Sequence, residues 1–126
     1  MAKSKKKILL VDDDANILGL YSAVFRHFGF NFSLAKNGKE AIEKAKVEKP
    51  ALILLDIMLP DINGFGVLRN LKESTDTKDV PIWMLSVLAE QSNQDRALDL
   101  GADRYLVKSA YTPQQICEKI KDFLES

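Results

Sequence analysis

A doubly wound α/β domain with a five-stranded parallel sheet is the fold this chain predicts, and three observations carry it. Short apolar runs alternate with amphipathic segments along the whole sequence, the pattern of repeated βα units. Four of those runs end abruptly in polar residues: Ile8–Val11 into Asp12, Asp13 and Asp14, Ala51–Leu55 into Asp56, Ile82–Leu85 into Ser86, and Tyr105–Val107 into Lys108. Three runs are apolar without interruption, as in strands buried on both faces, whereas Phe30, Phe32 and Leu34 alternate with other residues as in an edge strand.

The elements follow in order. After the first strand, Ile17, Tyr21, Val24, Phe25 and Phe28 fall at helical spacing on one stripe, and Gly29 stops that helix. The alternating second strand leads to Asn37 and Glu40, a capping box for a helix carrying Ala41, Ile42 and Ala45, which Pro50 ends. The third strand is the Ala51–Leu55 run. Pro60 to Gly64 reads as a loop, and Val67, Leu68 and Leu71 mark the third helix. Ser74 to Asp79 is a polar connection into the fourth strand. The fourth helix lies between Glu90 and Leu100, has a weak apolar face of Ala97 and Leu98, and closes at Gly101. Thr112, Pro113 and Gln115 form a helix start with cap, proline at the first position and capping-box glutamine. Ile116, Ile120, Phe123 and Leu124 give the last helix its buried stripe. Central first, third and fourth strands with an edge second strand fit the flavodoxin-like order 2-1-3-4-5, with five helices on both faces.

At 126 residues the chain suits one domain. Residues 7–125 form it, preceded by a basic tail at 1–6, and the local basic cluster Lys3, Lys5, Lys6 and Lys7 reads as solvated. Lys+Arg and Asp+Glu balance at 18 each, so no field favours nucleic acid or an anionic membrane. Only four apolar residues follow the N-terminal lysines, too few for a signal peptide, and no run reaches membrane-spanning length. Cys117 is the lone cysteine, which excludes an internal disulfide and fits a reducing cytoplasm. Its neighbours Ile116 and Ile120 make it a small buried apolar residue. His27 flanks the first helical stripe and reads as a surface or boundary histidine.

In the order 2-1-3-4-5, the ends of the first and third strands are neighbours at the switch point, so Asp12, Asp13 and Asp56 share one cleft. Carboxylates so placed stay ionised only with a compensating cation. Mg²⁺ accepts a few carboxylates, keeps several waters and bridges to phosphate oxygens. Lys108 supplies a second positive charge, and Ser86 can donate to a phosphoryl oxygen. An aspartate can attack phosphorus and form an acyl phosphate. Taken singly, each residue has a bland explanation: acidic residues after a strand are often helix caps, which is how Asp14 is read. Four strand ends carrying the right residue types together outweigh that.

Through Val11-Asp12-Asp13, Leu54-Leu55-Asp56-Ile57-Met58-Leu59-Pro60 leading to Gly64, Leu85-Ser86 and Tyr105-Leu106-Val107-Lys108, the chain resembles the receiver domains of bacterial two-component response regulators. The likeness runs from Ile8 to Leu124 and is of the single-domain, chemotaxis-regulator kind. It implies that Asp56 accepts a phosphoryl group from a sensor histidine kinase or a histidine phosphotransfer protein. It implies Mg²⁺ on Asp12, Asp13, Asp56 and the backbone carbonyl of Met58, with Lys108, Ser86 and the Val87 backbone on the phosphoryl group. Ser86 and Tyr105 would move as the switch, and the fourth helix, fifth strand and fifth helix would signal to an effector protein or an output domain. No nucleic-acid or membrane contact by this domain is implied.

Three positions depart from the family pattern. Val87 stands where a small residue is usual, which narrows access to Asp56. Met58 and Leu88 replace polar side chains that orient water, so with Val87 they are expected to tune the phosphorylation and dephosphorylation rates. Ser109 follows Lys108 where a cis proline is usual. A cis bond before serine costs about 2.5–4 kcal/mol against about 0.5–1 before proline, so either that cost is borne or the loop is rebuilt.

Other functions fit less well. Phosphatases of the haloacid dehalogenase type need an acid two residues after the nucleophile, where Met58 stands. Ser86 lacks the glycines of a nucleophile elbow. A flavin or nucleotide carrier would want a phosphate-binding loop after the first strand. The remaining competitor is a degenerate receiver acting as a phosphorylation-independent binding module. With every core site residue present, the expectation is a phosphoacceptor switch and not an enzyme.

Overall fold

The computed structural model describes residues 6–126, so Lys3 and Lys5 of the basic tail lie outside the described residues. Five parallel strands form one sheet in the order β2-β1-β3-β4-β5: β1 (Lys7–Val11), β2 (Asn31–Ala35), β3 (Leu52–Leu55), β4 (Ile82–Ser86) and β5 (Arg104–Val107). The helices are α1 (Ala15–His27), α2 (Gly38–Glu48), α3 (Gly64–Glu73), α4 (Gln91–Asp99) and α5 (Pro113–Glu125). This is the flavodoxin-like fold expected.

Alternation along each strand splits the core into two layers. Leu9, Val11, Ile53, Leu55, Ile82 and Met84 face Ala41, Ala45, Val67, Leu68, Leu71 and Ala97, so α2, α3 and α4 cover one side. Ile8, Leu10, Leu52, Leu54, Trp83 and Leu85 face Tyr21, Phe25, Ile116, Cys117 and Ile120, so α1 and α5 cover the other. Strands β1, β3 and β4 are almost wholly buried, and β2 is only half-buried at its edge. The registers Val11↔Ala35 and Val11↔Leu55 bring the C-terminal ends of β1, β2 and β3 level. All four strand pairings are parallel, and that common direction is what gathers the polar strand ends at one edge.

Helix ends follow the local chemistry. Asp14 caps α1 by accepting from Asn16 N at 2.8 Å, and Thr112 with Gln115 forms the complete capping box of α5. At α2, Asn37 accepts from Glu40 N at 2.8 Å, but the Glu40 carboxylate accepts from Lys36 N at 3.3 Å instead of from the cap residue. It also lies 3.5 Å from Lys44, which draws it aside. Lys49 ends α2 in a left-handed conformation (φ 45°) ahead of Pro50. Lys6 donates from Nζ to the Leu124 carbonyl, and Lys7 opens β1 with its ammonium 3.6 Å from Glu48. His27 is exposed. No helix among the described residues is long and apolar enough to cross a membrane.

Candidate functional site

A cleft of about 320 Å³ opens at the C-terminal edge of the sheet. Asp12 and Asp13 enter it from the end of β1, Asp56 from the end of β3 and Lys108 from the end of β5. Ile17, Met58 and Val87 form its apolar rim. Carboxylate oxygens of Asp12, Asp13 and Asp56 lie within 4.8 Å of one another. Asp12 and Asp56 are buried, and Asp13 is exposed.

Hydrogen bonds fix these groups. Asp12 Oδ1 accepts from Asp14 N at 2.9 Å, and Asp12 Oδ2 accepts from Lys108 Nζ at 2.5 Å. Asp56 Oδ1 accepts from Ile57 N at 2.8 Å, and its Oδ2 lies 3.3 Å from Lys108 Nζ. Burial pushes the Asp56 carboxyl above its ordinary value; Lys108 opposes that rise and Asp12 adds to it. Burial alone would lower the Lys108 ammonium, but the carboxylates of Asp12 and Asp56 outweigh it and hold the group above its ordinary value. Three carboxylates thus face one ammonium, and the charge left over suits a divalent cation with oxygen ligands.

The loop after β3 is tightly drawn. Gly64 N donates to Ile57 O at 2.7 Å, closing the loop's base. A Cβ on Gly64 would sit 2.6 Å from Ile57 Cα, so only glycine permits this approach. Asn63 then caps α3, accepting from Gly66 N at 3.1 Å.

Ser86 and Tyr105 do not line the cleft. Ser86 is fully buried beneath it, where its hydroxyl accepts from Leu88 N at 3.2 Å. Tyr105 is half-buried and donates from its hydroxyl to the Leu88 carbonyl at 2.6 Å. Burial pushes its phenol up, Ser86 opposes that, and Glu90 and Asp56 add to it. Both residues therefore hold the β4–α4 loop. Met58 and Val87 are more than half exposed on the rim, and Leu88 packs half-buried behind it. The Lys108–Ser109 peptide is trans, as are all peptide bonds among the described residues, and the loop is rebuilt as a 3₁₀ turn over Lys108–Ala110.

Sequence reasoning placed Asp61 only in a loop. The structure ties its carboxylate to α2, Oδ1 accepting from Gly38 N at 2.7 Å and Oδ2 from Lys39 N at 2.9 Å. Those backbone bonds hold the Asp61 carboxyl down at about 2. The partners lie 22 and 23 residues away, so no local pattern announces them.

Known proteins resemble the chain over nearly all its length. The probable transcriptional regulator ycf27 of Pyropia yezoensis is 36% identical over 124 residues, covering 98% of this chain and 49% of that protein. The chain spans about half the length of the curated relatives it matches. A CheY-like response regulator receiver domain from Methanospirillum hungatei superposes with a TM-score of 0.86 at 32% identity, covering 97% of this chain and 95% of that one. The CheX-CheY-BeF3-Mg²⁺ complex from Borrelia burgdorferi gives 0.84 at 25% identity, covering 94% and 89%. The profile of the response regulator receiver domain matches residues 8–121, and with this fold and this acidic cleft the chain belongs to that family of two-component signalling switches.

Proposed function

We propose that this chain is a phosphoacceptor switch that takes a phosphoryl group on Asp56 from a sensor histidine kinase or a histidine phosphotransfer protein. The observation that carries the reading is the convergence of Asp12, Asp13, Asp56 and Lys108 in one cleft, with Asp56 buried yet reachable. Asp12, Asp13, Asp56 and the Met58 carbonyl would hold Mg²⁺. When bound, the ion neutralises carboxylate charge and draws phosphoryl oxygens towards Asp56.

A carboxylate oxygen of Asp56 attacks phosphorus, and a P–O bond forms as the P–N bond to the donor imidazole breaks. The electron pair leaves on the imidazole nitrogen. Lys108, already 3.3 Å from Asp56 Oδ2, pairs with the phosphoryl oxygens as charge builds on them. Nothing in the rim activates water: Met58 stands where a second acid would act, and Val87 and Leu88 are apolar. Val87 therefore slows the approach of small donors and of water to Asp56, Met58 and Leu88 slow hydrolysis, and the chain assists only its own phosphoryl transfer.

The new group carries a charge of about −2 and strong acceptor oxygens. Ser86 has a hydroxyl proton to give it, and the β4–α4 loop is bonded to Ser86 through Leu88 N and to the Tyr105 hydroxyl of β5 through the Leu88 carbonyl. Moving that loop shifts α4 against β5 and α5, the surface read by a downstream effector protein or an output domain. Turning a 1:99 equilibrium into 99:1 takes about 5.5 kcal/mol, within reach of a few charge-assisted hydrogen bonds. The balanced charge gives this domain no field for nucleic acid.

Intact mass after incubation with Mg²⁺ and acetyl phosphate, or with a phosphorylated histidine donor, tests the reading. One added phosphoryl group that disappears in Asp56→Asn and on Mg²⁺ removal is expected. No adduct from either donor would mean that the chain works as a phosphorylation-independent binding module.

A further inference from the structure

The loop from Ile57 to Gly64 carries the Met58 carbonyl. Its start is held by buried Ile57, whose N–H bonds to Asp56 Oδ1 at 2.8 Å and whose carbonyl accepts from Leu59 N at 3.1 Å. Met58 itself is 57% exposed, and its N–H approaches Asp56 Oδ1 only at 3.5 Å. Gly64 closes the loop's base and Asn63 caps α3, while the middle of the loop is tied to α2 by Asp61, whose two oxygens take the Gly38 and Lys39 N–H groups. With Asn37 taking the Glu40 N–H, three first-turn donors of α2 are bonded to side chains, two of them to a residue from another loop. Gly38 lets the loop come this close. A Cβ there would meet the Ile62 carbonyl and Val67 Cγ2, each at 2.9 Å.

We infer that Asp61 is a positioning residue for the metal site: by clamping the β3–α3 loop to the N-terminus of α2 it sets where the Met58 carbonyl stands. The inference rests on the proposed Mg²⁺ site and extends it to a residue outside the cleft. Both acceptor oxygens are engaged, and the carboxyl is held down at about 2, so the clamp stays ionised at any pH where the domain works. A carboxamide keeps one acceptor and turns an N–H₂ towards an N–H donor, so Asn retains half of the clamp. Alanine removes it.

The test is an electron paramagnetic resonance titration of the whole chain with Mn²⁺, with Mg²⁺ as competitor, on the parent, Asp61→Ala, Asp61→Asn and Asn37→Ala. Asn37→Ala weakens the same helix end without touching the loop, so it separates loosening of α2 from positioning. Outer partners of metal ligands set affinity by 10–100-fold, and Asp61→Ala is expected to weaken Mn²⁺ by about tenfold, Asp61→Asn by about threefold, with Asn37→Ala near the parent. Parent-like affinity in Asp61→Ala overturns the clamp, as does an equal loss in Asn37→Ala. Should Asp61→Ala fail to fold, unchanged affinity in Asp61→Asn overturns it. A parent chain that binds neither ion overturns the metal site itself and the clamp with it.

Discussion

Replacing Asp56 by asparagine should make the metal-free domain more stable. Its carboxylate oxygen lies within 4.8 Å of one on Asp12 and one on Asp13, and 3.3 Å from the Lys108 ammonium. At an effective dielectric constant of about 20, a like-charge contact at 4.8 Å costs roughly 3.5 kcal/mol, and the Lys108 contact at 3.3 Å contributes roughly 5 in the other direction. Asp13 is exposed and its part is screened, so the contacts nearly cancel. Burial of the ionised carboxylate then decides the sign. Asparagine keeps an oxygen for Ile57 N, now bonded at 2.8 Å, while removing the charge. A gain of about 1–2 kcal/mol follows, or a rise in Tm of roughly 4–8 °C for a chain of this length. Thermal melts in EDTA and in Mg²⁺ measure it. Mg²⁺ should raise the Tm of the parent and move Asp56→Asn much less, because binding to the native state alone stabilises by mass action. A lower Tm for Asp56→Asn in EDTA, or equal Mg²⁺ gains in both proteins, would refute the reasoning.

Val87→Ala opens the rim beside Asp56 and should raise severalfold both phosphorylation by acetyl phosphate and loss of the phosphoryl group; mass spectrometry over time reads both rates, and unchanged rates would show that Val87 does not gate the cleft. Burial pushes Cys117 from 9.0 and Tyr21 from 10.0 each up to about 12, with weaker contributions from Cys117 and Asp12 at Tyr21. Raised folded values mean stability that is complete below pH 9 and lost progressively towards pH 12, so urea midpoints should hold to pH 9 and fall above it. At pH 8 a thiol reagent should label Cys117 only at the rate of unfolding; fast labelling would contradict its burial. Thr112→Ala deletes the hydroxyl that accepts from Gln115 N at 3.1 Å and should cost about 1 kcal/mol, seen as a Tm lower by about 4 °C.

What could be read beforehand was whatever depends on periodicity and strand ends. Uninterrupted apolar runs marked β1, β3 and β4 because both faces of a central parallel strand are covered, and alternation marked β2 because an edge is not. Asp12, Asp13, Asp56 and Lys108 were legible as a group because parallel strands deliver their C-terminal residues to one edge. Side-chain direction was less accessible. Ser86 ends β4 and yet lies beneath the cleft, bonded to Leu88 N, and Glu40 turns from its cap towards Lys44. The turn at Lys108–Ala110 was open between two outcomes until the backbone was in view. Asp61 was out of reach because its partners are set by tertiary packing of a loop against a helix that precedes it in sequence.

The same packing indicates where a signal can leave the cleft. Only Ala97 of α4 is buried; Arg96 places its guanidinium 4.2 Å above the Phe65 ring, Gln94 donates to the Ala89 carbonyl at 3.0 Å, and the Ala97 carbonyl accepts from Ala102 N at 3.0 Å. An exposed cation–π contact is worth about 0.5–1 kcal/mol, and the hydrogen bond from Tyr105 to Leu88 adds about 1. By contrast, α3 and α5 each bury four or more residues and are held by core packing. On the proposed phosphoacceptor reading, a charge placed on Asp56 would act on every element around the cleft and would move the one with the smallest restraints, given that inverting a 1:99 equilibrium takes about 5.5 kcal/mol. That element would be α4 with the loop before it, whose hydrogen bonds run through Leu88 and Tyr105, beside the hydroxyl of Ser86.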